Sequence, residues 1–297
     1  MILIDDGSTD SSSIICDKYN KADNRVKVIH KINEGVSKSR NLGISISKGE
    51  FIMFVDPDDE LKNDAVEYLY KLIKLYNCDI ACYKMEIYKN NELKTNITNI
   101  NEKIDVYNGS EIISEHSSNG TFLHSSCNKL YNRKLVGNNR FNENIRYAED
   151  ALFNFNVLSD SKRLVMSNLS KYNYFINEGS TVTKVNEKRV DILIAQCEIF
   201  KLLKNRYNKY TENITRDFIK SSISIVIDMA NKNEKNKEVL IRLRKAIKEN
   251  KYMLDDMSLV TTKDKFLFNI INMNPNIILF LYIIRFNLKK ILKKGRL

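Results

Sequence analysis

The chain has 297 residues, 43% of them hydrophobic and 29% charged, a composition that excludes a disordered tail and, at this length, suggests about two domains. Its five cysteines (Cys16, Cys78, Cys82, Cys127, Cys197) are odd in number and form no CxxC pair, which argues against a disulfide framework or a zinc site and for a reducing compartment. The net charge of +11 suits an acidic partner such as anionic lipid or a phosphorylated substrate, whereas no nucleic-acid motif or basic patch with interleaved aromatics is present.

Residues 1–4 are an apolar run that closes on Asp5-Asp6-Gly7-Ser8-Thr9-Asp10. The pattern predicts a strand ending in carboxylates. A tight turn at Gly7 follows, then a helix capped by Ser8, Thr9 or Asp10 and running through Tyr19. It is not a signal peptide, because the acids come too early and no basic segment precedes them. Residues 26–30 read as a third strand. Residues 35–44 read as a turn entering a helix, where Lys38 and Arg40 either meet a diphosphate or form a solvated face.

Residues 51–55 are five consecutive apolar side chains between Gly49 and Pro57, which predicts a central strand buried on both faces. In an open α/β sheet the ligand crevice lies beyond the carboxyl ends of the strands. That strand delivers Asp56, Asp58 and Asp59 there, either as an oxygen site for Mg²⁺ or Mn²⁺ or as a solvated acidic turn. Ala65, Val66, Leu69, Leu72, Ile73 and Tyr76 mark an amphipathic helix, and residues 79–85 the next strand. The alternation is that of an α/β sheet.

Asn90-Asn91 suggests a hairpin turn, with a loop or ribbon to about 105. Residues 127–131 read as a strand. Residues 147–153 open a helix whose first acids, Glu149 and Asp150, suit the helix macrodipole. Residues 164–166 and 172–176 read as two strands, and 177–181 as a turn. From 185 onward helical spacing dominates. Ile192, Leu193, Ala195, Ile199, Phe200 and Leu203 make one face; Phe218, Ile219, Ile223 and residues 225–227 make another. Residues 276–284 are apolar and are followed by Arg285, Lys289, Lys290, Lys293, Lys294 and Arg296. That run is far short of the roughly 20 residues a spanning helix needs. Residues 277–296 read either as a helix lying on anionic lipid or as a last core helix with a solvated basic tail. His30, His116 and His124 show no ligand spacing and read as structural.

Taken in order, four segments resemble the motif set of family 2 glycosyltransferases with a GT-A fold. They are Asp5-Asp6-Gly7-Ser8-Thr9-Asp10; Gly35-Val36-Ser37 with Arg40-Asn41-Leu42-Gly43-Ile44; Gly49-Glu50-Phe51 leading to Asp56-Pro57-Asp58-Asp59; and Glu149-Asp150. Asn128-Lys129-Leu130-Tyr131 and Glu178-Gly179-Ser180 resemble segments of the bacterial cell-surface polysaccharide members. The resemblance covers residues 1 to about 185. It implies an α/β GT-A domain with a mixed, Rossmann-like sheet over 1–185 and a helical region over 186–297. The implied activity is inverting transfer from a nucleotide diphosphate sugar, a UDP-sugar, to a hydroxyl of a cell-surface glycan or lipid-linked acceptor. Such a protein is cytoplasmic, or peripheral on the inner face of the membrane.

Carried onto these positions, Asp5 and Asp6 lie at the nucleotide, with Asp6 on the uracil. Arg40 meets the diphosphate and Asp56 the ribose. Asp58 holds Mn²⁺ or Mg²⁺, Asp150 is the base, and Glu149 stands beside it. One departure is clear: family members begin with a strand and a helix before the Asp-Asp-Gly-Ser element, and that strand lies between those of residues 1–4 and 51–55. The start lies upstream, or the chain is an inactive remnant, or another chain completes it; in the last two cases it does not bind donor alone. A nucleotidyltransferase also uses carboxylates, a metal and an α/β sheet, but no Gly-rich phosphate loop with a following Lys is present.

Overall fold

The structure, a computed structural model, describes residues 1–90, 92–95, 101–119, 124–176, 185–255 and 257–294. The expected turn at 177–181 and Asn91 of the expected hairpin lie outside them. The chain divides into two compact units: residues 1–116 with 121–176, and residues 117–120 with 177–297.

In the first unit, β1 (Ile2–Asp5) leads into α1 (Ser12–Ala22) and then β2 (Lys27–His30). β1 and β2 pair in parallel, with Asp5 opposite His30, and form a two-stranded sheet of their own. Gly7 makes the turn after β1 at φ +73°, where a Cβ would stand 2.7 Å from the backbone nitrogen of Asn33, so no other residue fits without displacement. α1 starts where Asp10 Oδ1 accepts from the Ser12 amide at 2.9 Å, and none of its residues is buried.

α2 (Val36–Ile46) follows, then β3 (Phe51–Ile52), β4 (Glu60–Leu61) and α3 (Ala65–Tyr76). α3 buries Ala65, Leu69, Leu72 and Ile73 at the spacing the sequence predicts, and Asn77 ends it in the left-handed conformation that asparagine tolerates. Beyond lie β5 (Ile80–Lys89), β6 (Glu92–Leu93), β7 (Ile104–Asn108), α4 (Ser110–Asn119), β8 (Lys129–Asn132), the single turn α5 (Arg133–Val136), α6 (Glu149–Ser159) and β9 (Arg163–Ile176). A mixed sheet runs in the order β3-β8-β5-β9-β4, with β6 on β5 and β7 on β9; only β5 and β9 pair in parallel.

Two expectations are corrected. Residues 51–55 are not a long strand buried on both faces. Only Phe51 and Ile52 pair, with β8, and burial alternates, with Ile52 and Phe54 inward and Val55 exposed. Phe51 is covered by Tyr70 of α3, but Val55 faces solvent and Pro57 cannot donate to a ladder, so the pairing ends early. The two strands expected at 164–166 and 172–176 are one strand, β9. The polar residues between them hid its continuity. Ser167 and Ser170 are buried with hydrogen bonds from Tyr68 Oη and to the Tyr172 carbonyl, and register shifts near Lys84 absorb the irregularity.

In the second unit, α7 (Asp191–Arg206), α8 (Thr211–Asn231), α9 (Lys237–Glu249), α10 (Thr262–Met273) and α11 (Pro275–Lys294) share a core of Leu193, Phe200, Phe218, Val226, Leu243 and Phe268. Both predicted faces are used as expected. Buried Asp191 is neutralised by Arg242 at 2.8 Å.

Candidate active site

The centre of the first unit's chemistry is Arg40, whose place is set by helix α2. Its side chain is only 11% exposed. One nitrogen, Nη2, donates to Asp56 Oδ1 at 2.7 Å; the other, Nη1, donates to Asp150 Oδ1 and to Glu149 Oε1, the latter at 3.2 Å. The guanidinium also lies over the Phe141 ring, 5.2 Å from its centroid. Phe141 stacks on Phe153 at 3.9 Å and meets Phe54 edge to face. Neighbouring Asn41 fixes that wall, exchanging hydrogen bonds with both the amide and the carbonyl of Phe141.

Glu149 and Asp150 open α6 and are aimed by Ala148, which holds φ +68°, a left-handed conformation costly for a residue with a Cβ. Asp150 Oδ2 accepts from the amide and hydroxyl of Ser126, at 3.0 and 2.8 Å. Burial, and then the charge of Asp150, push the Glu149 carboxyl above the usual range, while the carboxylates around Arg40 hold its guanidinium firmly protonated.

The loop after β3 is pinned by β9. Tyr172, fully buried, donates its hydroxyl to Asp59 Oδ2 at 2.7 Å and accepts from the Asp56 amide; the Phe175 amide donates to Asp59 Oδ1 at 2.9 Å. Burial pushes Asp59 up to about 6 in spite of these bonds. Asp58 is left on the exposed tip. Among the described residues no three His, Cys, Asp or Glu side chains gather into a cage. An exposed carboxylate two positions from Asp56 fits Mg²⁺ or Mn²⁺, which take one or two protein carboxylates and complete their shell with water and substrate phosphate.

Asp5 and Asp6 stand at the end of β1, tied to the segment after β2. Asp5 accepts from the Ser8 amide at 3.0 Å and pairs with His30 Nδ1 at 2.8 Å, bonds that hold its carboxyl down at about 2. Asp6 accepts from the amides of Glu34 and Gly35, at 3.0 and 2.7 Å, and from Lys31.

The structure thus brings Arg40, Asp56, Glu149 and Asp150 together, and places Asp5 and Asp6 in a separate turn. Sequence reasoning missed Ser126, Tyr172, Lys31 and Phe141. His30, read as structural, is set on Asp5 by the parallel register. Lys129, in the Asn-Lys-Leu-Tyr segment, is fully buried and bonds Asn128 Oδ1 at 2.7 Å; burial pulls its ammonium down to about 8.

A mixed α/β sheet with an acidic site beyond its strand ends is the architecture of GT-A glycosyltransferases. The fold is similar to Staphylococcus aureus TarS in complex with UDP-GlcNAc, with a TM-score of 0.69 and 20% identity, covering 92% of this chain and 79% of that one. Residues 1–139, just under half of the chain, match the sequence profile of glycosyl transferase family 2. Among curated relatives, glycosyltransferase GlyA of Streptococcus pneumoniae serotype 4 is 32% identical over 212 residues, 69% of this chain and 30% of GlyA. The minor teichoic acid biosynthesis protein GgaB of Bacillus subtilis is 29% identical over 179 residues, 60% of this chain and 19% of GgaB. The chain therefore spans less than a third of the length of either relative.

Proposed function

We propose that the chain moves a sugar, with inversion, from a UDP-sugar to a hydroxyl of a cell-surface glycan or lipid-linked acceptor. The observation that carries this reading is the meeting of Asp56, Glu149 and Asp150 on one guanidinium. Three carboxylates around a single cation leave the centre acidic, which suits proton removal from a hydroxyl. The UDP-GlcNAc bound to TarS supports uridine as the base, and the name of GgaB supports a cell-surface polymer.

In this reading Asp5 and Asp6 lie at the nucleotide, with Asp6 on the uracil, Asp56 at the ribose and Arg40 at the diphosphate. Asp150 is the base. Its Oδ2 stays fixed on Ser126, and Arg40, turning to the diphosphate, releases Oδ1. The acceptor oxygen then bonds to the anomeric carbon, the bond from that carbon to the diphosphate oxygen breaks, and the acceptor proton passes to Asp150. Attack from the face opposite the leaving group inverts the centre. A Mg²⁺ or Mn²⁺ held by Asp58 would neutralise the charge gained by the departing nucleoside diphosphate.

The test is product analysis with a panel of UDP-sugars and glycan acceptors. UDP release is expected. Asp150→Asn should cut turnover by about 100-fold or more while calorimetry finds UDP-sugar binding unchanged. Pyrophosphate as the product would assign nucleotidyl transfer instead, and undiminished turnover in Asp150→Asn would remove Asp150 as the base.

A further inference from the structure

Helix α11 starts at Pro275, after a break that turns it 116° from α10. From 275 to 284 it carries no charged residue. Ile278, Leu279 and Ile283 point inward and belong to the helical core. The opposite side is equally apolar: Ile277 is 47% exposed, Phe280 63%, Leu281 52% and Ile284 40%. These four recur at i, i+3, i+4 and i+7, so they form one continuous stripe. Exposed Met273 stands at the break beside it. A helix that is apolar all round is stable only when both sides leave water, and a contiguous exposed apolar patch marks an interaction surface.

The continuation of the same helix identifies the partner. Arg285, Lys289, Lys290, Lys293 and Lys294 follow the stripe, and no acid occurs between 275 and 297. Two copies meeting along this helix would set like charges against each other, whereas an anionic surface would meet them with opposite charge. The apolar part is also too short to cross. Ten residues of helix reach about 15 Å, half the hydrocarbon thickness of a bilayer. No single helix among the described residues is long and apolar enough to cross a membrane; α10 and α11 reach that length only as a pair bent by 116°, and Phe268, Ile271, Ile278, Leu279 and Ile283 of that pair are committed to the helical core. Both proportions are those of a helix lying in the plane of the headgroups.

We propose that Ile277, Phe280, Leu281 and Ile284 seat α11 in the headgroup boundary of an anionic lipid bilayer, with the basic residues that follow lying against lipid phosphate. This surface stands apart from the sugar-transfer reading and is tested without activity. The full chain is floated with vesicles of phosphatidylcholine alone and with added phosphatidylglycerol, at low and at high salt.

Flotation is expected with the anionic vesicles, weakening as salt screens the headgroups. Phe280→Ser combined with Leu281→Ser should lower the bound fraction by about tenfold or more. Both side chains are exposed, so the double variant should keep the parent's circular dichroism and melting temperature. Failure of the parent chain to float with phosphatidylglycerol would overturn the proposal. So would salt-insensitive flotation with phosphatidylcholine alone. A dimer detected by light scattering and dissociated by the double variant would assign the stripe to a second copy instead.

Discussion

Around Arg40 the arithmetic of charge is lopsided. One guanidinium serves Asp56, Glu149 and Asp150, three carboxyls to one cation in a half-buried space. Glu149 bears the consequence, its carboxyl lifted by burial and by Asp150. A raised carboxyl stays protonated in the folded protein at pH values where the unfolded chain has already ionised. Stability therefore falls as pH rises from the ordinary glutamate value of 4.5 toward the raised one. Glu149→Gln removes this penalty and leaves Asp56 and Asp150 to neutralise Arg40. The variant should be more stable than the parent at neutral pH by on the order of 1 kcal/mol, with the advantage vanishing below the ordinary glutamate range. Thermal melts at several pH values check it; a variant less stable at neutral pH would mean that the Glu149–Arg40 pair outweighs the repulsion.

At the scale of elements, α6 is aimed by a strained residue. Ala148 spends its left-handed backbone to point Glu149 and Asp150 at Arg40. Ala148→Gly relieves that strain and should stabilise the fold by about 1 kcal/mol, less the extra freedom glycine gains when unfolded. Calorimetric melting reads the difference, and a lower melting temperature would contradict the strain. Here too lies the line between what the sequence showed and what it hid. Helices with one apolar face were legible, because the spacing of Leu69, Leu72 and Ile73, or of Leu193, Phe200 and Leu203, is written in the chain. So were Asp5, Asp6, Asp56 and Asp58, which sit where apolar runs stop, and Glu149 and Asp150, which open a helix. The contacts that finish the site were not. Ser126 reaches Asp150 across 24 residues, Tyr172 reaches Asp59 across 113, and neither carries a local signal. The continuity of β9 was hidden because buried serines satisfied by hydrogen bonds look like a loop. The partner of His30 was not legible either, because only the parallel register of β1 and β2 puts it opposite Asp5.

Across the whole molecule, cohesion is uneven. β5 has partners on both sides and its first residues are fully buried, whereas the β1–β2 ribbon shares no strand pairing with the larger sheet and α1 buries nothing. Local opening is cheapest where few apolar contacts must be lost. Amide hydrogen exchange should therefore find residues 2–30 exchanging well before residues 80–83 and 129–131, and equal protection in the two regions would refute the ranking. β1 and β3 lie in different sheets.

The central place of β9 also bears on how the protein is made. β4 and β7 pair with β9 alone, and β5 has its longest pairing there. A ribosome delivers the chain from its first residue onward, so β4 and β7 emerge without a partner and wait until residue 176 has cleared the exit tunnel. Until then β3, β8, β5 and β6 can pair among themselves, while β4, β7 and one edge of β5 stay open to pairing with a wrong neighbour.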